Sequence, residues 1–89
     1  MFDWDDANRK HIAEHGITPS EAEEVIANNP IDFEIQFRNN EERLLQVGVT
    51  SKMRVLVVVS TWRDDQIRII TAYQAPAALH DLYWKEKGG

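Results

Sequence analysis

The chain has 89 residues, enough for one hydrophobic core and too few for two, so a single domain over residues 1–89 is expected. Its net charge is −5, spread unevenly: residues 1–45 hold eleven acids and four bases, residues 46–89 four acids and six bases, which argues against a general nucleic-acid-binding module and confines any RNA role to a local site. There is no cysteine, hence no disulfide framework or thiolate chemistry, and no apolar run approaches the roughly 18–20 residues of a membrane span.

The acidic start, residues 1–6, lacks the basic-then-apolar order of a signal peptide, so a cytoplasmic location is expected. Asp5 stands before a helix over residues 6–14, and Gly16 sits where such a helix stops in the left-handed conformation. Thr18-Pro19-Ser20-Glu21 then carries the reciprocal cap of a second helix, with Pro19 at its first position. Ala22, Val25 and Ile26 form its apolar stripe, and Asn28-Asn29-Pro30 ends it.

Strands follow. Phe33, Ile35 and Phe37 alternate with Glu34, Gln36 and Arg38, the period of a half-buried strand. A turn at Arg38-Asn39-Asn40-Glu41 leads into residues 43–49, with Leu45, Val47 and Val49 on one face. Residues 54–62 are apolar on both faces and read as a central strand. Arg63-Asp64-Asp65-Gln66 turns into residues 67–73, and Pro76 opens a last helix in which Leu79, Leu82 and Tyr83 share a face. Short connections between consecutive strands favour an antiparallel meander. The fold class is therefore α+β: two N-terminal helices, a four-stranded antiparallel sheet and a C-terminal helix. The helices are expected to cover one sheet face in two layers.

This order resembles the BrnT family. The matching pieces are Trp4-Asp5, Glu14-His15-Gly16-Ile17, Glu21-Ala22-Glu23-Glu24, Glu41-Glu42-Arg43, Gly48, residues 55–59 and Arg68-Ile69-Ile70-Thr71-Ala72, in sequence over roughly residues 2–75. The resemblance implies a RelE-like fold, metal-independent RNA cleavage as a type II toxin, and neutralisation by a cognate antitoxin, commonly a DNA-binding protein. It also locates departures. Tyr73 replaces an arginine, Ala77-Ala78 replaces a basic pair, and Glu14 replaces a basic residue. The alternative is therefore a protein–protein interaction module that kept the fold and lost cleavage.

Cleaving RNA without a metal needs a base for the 2′-OH proton, an acid for the 5′-oxygen, and cations on the transition-state charge. His15 is the candidate acid/base, Arg43 and Arg68 the candidate phosphate clamps, and Tyr73 a candidate proton donor or stacking surface. His11 is a second titratable group one turn from His15. Arg54, Arg63 and Lys52 are candidate RNA-binding cations in place of the missing ones. Each residue also has a plainer role. His15 can face the helix's negative end, Arg68 can pair with Asp64 or Asp65, and Arg43 can pair with Glu34 or another acid. Tyr73 can pack at a sheet edge, and Trp4, Trp62 and Trp84 suit a core or a partner surface better than base stacking. His11 and His15 could start a zinc site, but the sequence shows no further ligand set, so no metal and no cofactor are expected. An apolar last strand and Trp84 leave a homodimer open beside the antitoxin as an association.

Overall fold

The computed structural model describes residues 1–88; Gly89, the end of the expected domain, lies outside the described residues. Helix α1, Asp6–Ala13, starts at Asp5, whose carboxylate accepts from the Asn8 amide at 3.0 Å while Asn8 Oδ1 accepts from the Asp5 amide at 2.8 Å. It ends at Gly16, with φ +73°: the Gly16 N–H donates to Ala13 O and the Ile17 N–H reaches back to Ile12 O. This paired closure satisfies carbonyls of the last turn and drives Ile12 and Ile17 into the same core. Helix α2, Pro19–Ala27, begins with the reciprocal Thr18–Glu21 cap read in the sequence.

Four strands follow as an antiparallel meander in the order β1-β2-β3-β4: β1 Ile31–Arg38, β2 Glu41–Val49, β3 Val55–Arg63 and β4 Gln66–Gln74. Asn39-Asn40 and Asp64-Asp65 make two-residue hairpin turns with both residues at positive φ, between 51° and 62°. That geometry matches the right-handed twist of the flanking strands. Helix α3, Ala77–Glu86, comes last.

The α+β class and the meander are as the sequence reads, but the helices flank the sheet instead of sharing one face. The reason is β3, whose successive residues are apolar and so need cover on both sides. Leu56 and Val58 pack with Ile12, Ile17, Ala22 and Val25 under α1 and α2. Val55, Val57 and Val59 pack with Leu45, Val47 and Tyr83 under α3. Burying each such side chain contributes about 1.5–3 kcal/mol, so neither face of β3 can be left wet.

Two irregularities shape the sheet's margins. A bulge after Asp32 breaks the expected alternation of Phe33, Ile35 and Phe37. Phe33 joins the α3 side, whereas Ile35 pairs with Leu44 on the other face and, like Phe37, is exposed. A second bulge, opposite Val59 and Ser60, falls in β4. The N-terminal segment then adds a short parallel pairing to β4, Phe2 beside Ile67: the Ile67 N–H donates to Met1 O and the Asp3 N–H to Ile67 O, both at 2.8 Å. Asn8, buried, extends this tie by donating to the carbonyls of Asp3 and Ile69. No described helix is long and apolar enough to cross a membrane.

Candidate active site

The outer edge of β4 and the flank of α1 gather the titratable candidates into one strip. His11 and His15 lie one helical turn apart, with ring centroids 6.0 Å from each other, and Tyr73 on β4 lies 6.3 Å beyond His15. Both histidines are exposed and Tyr73 is half-buried. His15 precedes the closing turn at Gly16, so its side chain leaves the helix where the axis ends. Its backbone N–H donates to Ile12 O at 3.0 Å and belongs to that turn.

Arg68 continues the strip towards the start of β4. It shares a shallow hollow of about 140 Å³ with His11, Asn8 and Ile70. Its side chain is only 14% exposed, held by the N-terminal segment: Nη2 lies 2.8 Å from Asp5 and Nη1 3.4 Å from Asp3. The sequence points to Asp64 or Asp65 as partners; the fold supplies Asp3 and Asp5 instead, because the parallel pairing of Phe2 lays that segment along β4. The Asn8 amide, and after it the Arg68 guanidinium, holds the Asp5 carboxyl below the usual carboxylate range.

Arg54 stands near the other end of the strip. Its Nη1 lies 2.6 Å from Glu21 and 3.4 Å from the carbonyl of Gly16, next to His15. Burial pushes the Glu21 carboxyl up, but the Thr18 amide and Arg54 more than offset that, and it ends below its ordinary value. Arg54 also lines a hollow of about 240 Å³ with Gln74 and His80. Lys52 is exposed in the turn between β2 and β3.

Arg43 and Arg63 lie at the hairpin end of the sheet, about 30 Å along β3 from Arg54 at about 3.3 Å per residue, but at the same end as Arg68, which pairs with Thr61 two residues before Arg63. Both bind Glu41, at 3.3 and 2.8 Å. The expected pairing of Arg43 with an acid is met, by Glu41 and not Glu34. Arg63 foremost, and Arg43 with it, lowers the Glu41 carboxyl despite a contrary push from burial. Trp4 packs on the α1/α2 side and donates to Glu23 at 2.7 Å; Trp84 packs on the α3 side; Trp62 is exposed. Among the described residues no three of His, Cys, Asp and Glu gather where they could hold a metal ion, so the His11–His15 pair has no third ligand.

The strip therefore offers two imidazoles, one phenol and a carboxylate-bound guanidinium on a sheet edge. His11 is central to it, flanked by Arg68 on one side and His15 on the other. Its signal in the sequence was the four-residue spacing from His15, which puts both rings on one helix face.

No individually curated protein matches the chain. A family model described as the ribonuclease toxin BrnT of type II toxin–antitoxin systems matches residues 4–78. That span holds both N-terminal helices, the whole sheet and every member of the strip, and the chain belongs to the BrnT family of type II toxin–antitoxin ribonuclease toxins.

Proposed function

We propose that this chain is a metal-independent endoribonuclease toxin that acts in the cytoplasm and is held inactive by a cognate antitoxin, itself a DNA-binding protein. The observation that carries the reading is the line Arg68, His11, His15, Tyr73 along one sheet edge in a chain of the BrnT family. Neighbouring rings about 6 Å apart can reach different oxygens of one phosphodiester through hydrogen bonds of about 2.8 Å.

In this mechanism His15 removes the 2′-OH proton of the RNA. The 2′-oxygen attacks phosphorus, and the bond to the 5′-oxygen breaks as Tyr73 or His11 supplies its proton. The products are a 2′,3′-cyclic phosphate and a free 5′-OH. Arg68 stabilises the charge on the non-bridging oxygens, exchanging the Asp3 and Asp5 carboxylates for phosphate. Arg54 and Lys52 guide the strand past Gly16. Arg43 and Arg63, at the hairpin end beside Arg68, hold the RNA where it continues past Arg68.

A second reading, a partner-binding module without cleavage, is favoured by the carboxylates that occupy Arg68, Arg54, Arg43 and Arg63. Incubating a labelled single-stranded RNA with the purified chain in excess EDTA separates the two. Cleavage that survives EDTA and falls about 100-fold or more in His15→Ala supports the nuclease. Intact RNA with a folded chain, over a range of pH and salt, leaves the binding module.

A further inference from the structure

On the face covered by α1 and α2, the sheet extends beyond the helices. Past Ile26 of α2 a groove of about 420 Å³ opens across all four strands, floored by Ile35, Leu44, Trp62 and Ile67. Trp62 is 68% exposed, Ile35 57%, and Phe37, on the same face beside Glu42, 74%. These are three of the five most exposed large apolar side chains in the described chain. Large apolar side chains exposed side by side and rimmed by polar residues mark interaction sites. The bulge after Asp32 creates it, by turning Phe33 to the α3 side and leaving Ile35 and Phe37 without a cover.

The charges around the groove select its occupant. Asp32 and Glu42 line it and no cation does. Asp32 accepts from Gln46 at 2.7 Å, while Glu42 has no ion pair among the described residues. RNA is disfavoured there, because phosphates would meet carboxylates with no cation between them. A second copy docked through the same face is disfavoured as well, since two-fold symmetry would bring these acids together from two chains already at −5.

We infer that this groove binds an amphipathic segment of the cognate antitoxin, apolar where it meets Trp62 and Ile35 and carrying lysine or arginine towards Asp32 and Glu42. The inference rests on the toxin–antitoxin reading above. It places the antitoxin's anchor on the face of the sheet remote from Tyr73, with Trp62 as the central contact, since exposed tryptophans that become buried dominate binding energetics.

The test titrates the full chain with its cognate antitoxin by calorimetry, comparing wild type, Trp62→Ser, Glu42→Lys and the exposed control Met53→Ser. RNA cleavage is assayed on each protein in parallel. Both groove positions are exposed, so the variants should keep the wild-type unfolding midpoint. The expected result is antitoxin affinity at least tenfold weaker for Trp62→Ser and Glu42→Lys, unchanged for Met53→Ser, with cleavage equal throughout. Wild-type affinity in both groove variants would overturn the inference while leaving the nuclease reading intact. So would RNA affinity lost in Trp62→Ser, or a wild-type dimer in sedimentation that Trp62→Ser dissociates. Groove-dependent antitoxin binding by a chain that cuts no RNA would retire the nuclease reading and keep the groove. A wild-type chain that does not bind the antitoxin would overturn the groove inference and the antitoxin-neutralised part of the proposed function, leaving the nuclease to the parallel cleavage assay.

Discussion

Two glycines illustrate how differently one residue type can be required. Gly16 has open space around its missing Cβ, and only its φ of +73° demands glycine; Gly16→Ala should cost about 1 kcal/mol in urea unfolding. Gly48 has ordinary backbone but no room: an added Cβ would lie 3.0 Å from Val25 Cγ1 and 3.1 Å from Pro30 Cβ. Gly48→Ala should therefore push α2 off β2 and destabilise by about 1–3 kcal/mol, read from the same unfolding curves. Arg68 poses a functional question at this scale. If its role is to hold phosphate, Asp3 competes with the substrate, and Asp3→Asn should raise RNA affinity severalfold in a filter-binding or anisotropy titration. If Arg68 only anchors the N-terminal segment, the same change will lower stability and leave RNA affinity where it was.

Hairpins show what local chemistry can specify. Asp64-Asp65 turns the chain in two residues at φ 53° and 62°, a conformation aspartate tolerates and glycine prefers. Asp65→Gly should raise the urea midpoint, by about 0.5–1 kcal/mol of stability. Elements of this kind were legible in the sequence because their signals are neighbours in the chain. The Thr18–Glu21 cap, the stop at Gly16 and the strand alternation of residues 43–49 all belong to this class. Features that depend on distant residues were not legible. Nothing near Ile67 announces that Phe2 will pair with it, so the sequence points Arg68 to Asp64 or Asp65. Nothing in residues 31–38 marks the bulge that sends Phe33 and Ile35 to opposite faces. The double-sided apolar pattern of β3 did carry the information that both faces need a helix, although it does not say which helix goes where. For the site, the residue types and the His11–His15 spacing were readable; their alignment with Tyr73 and Arg68, and the placing of Arg43 and Arg63 at the Arg68 end of the sheet, required the meander's register.

Over the whole molecule, three carboxylates with lowered pKa tie separate parts of the fold: Asp5 to β4 through Arg68, Glu21 to β3 through Arg54, and Glu41 to the β3–β4 hairpin through Arg63. Folding lowers their pKa, so the unfolded chain takes up protons first as pH falls. Their contribution is thus complete above the ordinary values of 3.8 and 4.5 and is lost as pH drops through the lower folded ones. The urea midpoint should be level from about pH 8 to 5 and decline below about 4.5, and Glu41→Gln should flatten part of that decline. Because all three pairs lie at the surface, with Asp5 exposed and Glu21 and Glu41 half-buried, the effect will be modest and will shrink with added salt. The placement of β4 also bears on when in its own synthesis the protein acquires its chemistry. The histidines leave the ribosome first, on α1, whereas Arg68 and Tyr73 arrive only with the last strand, and the N-terminal segment has nothing to pair with until Ile67 is made. On the nuclease reading, a nascent chain is therefore harmless until β4 has been made, because the strip does not exist before it and an antitoxin has no active edge to contend with.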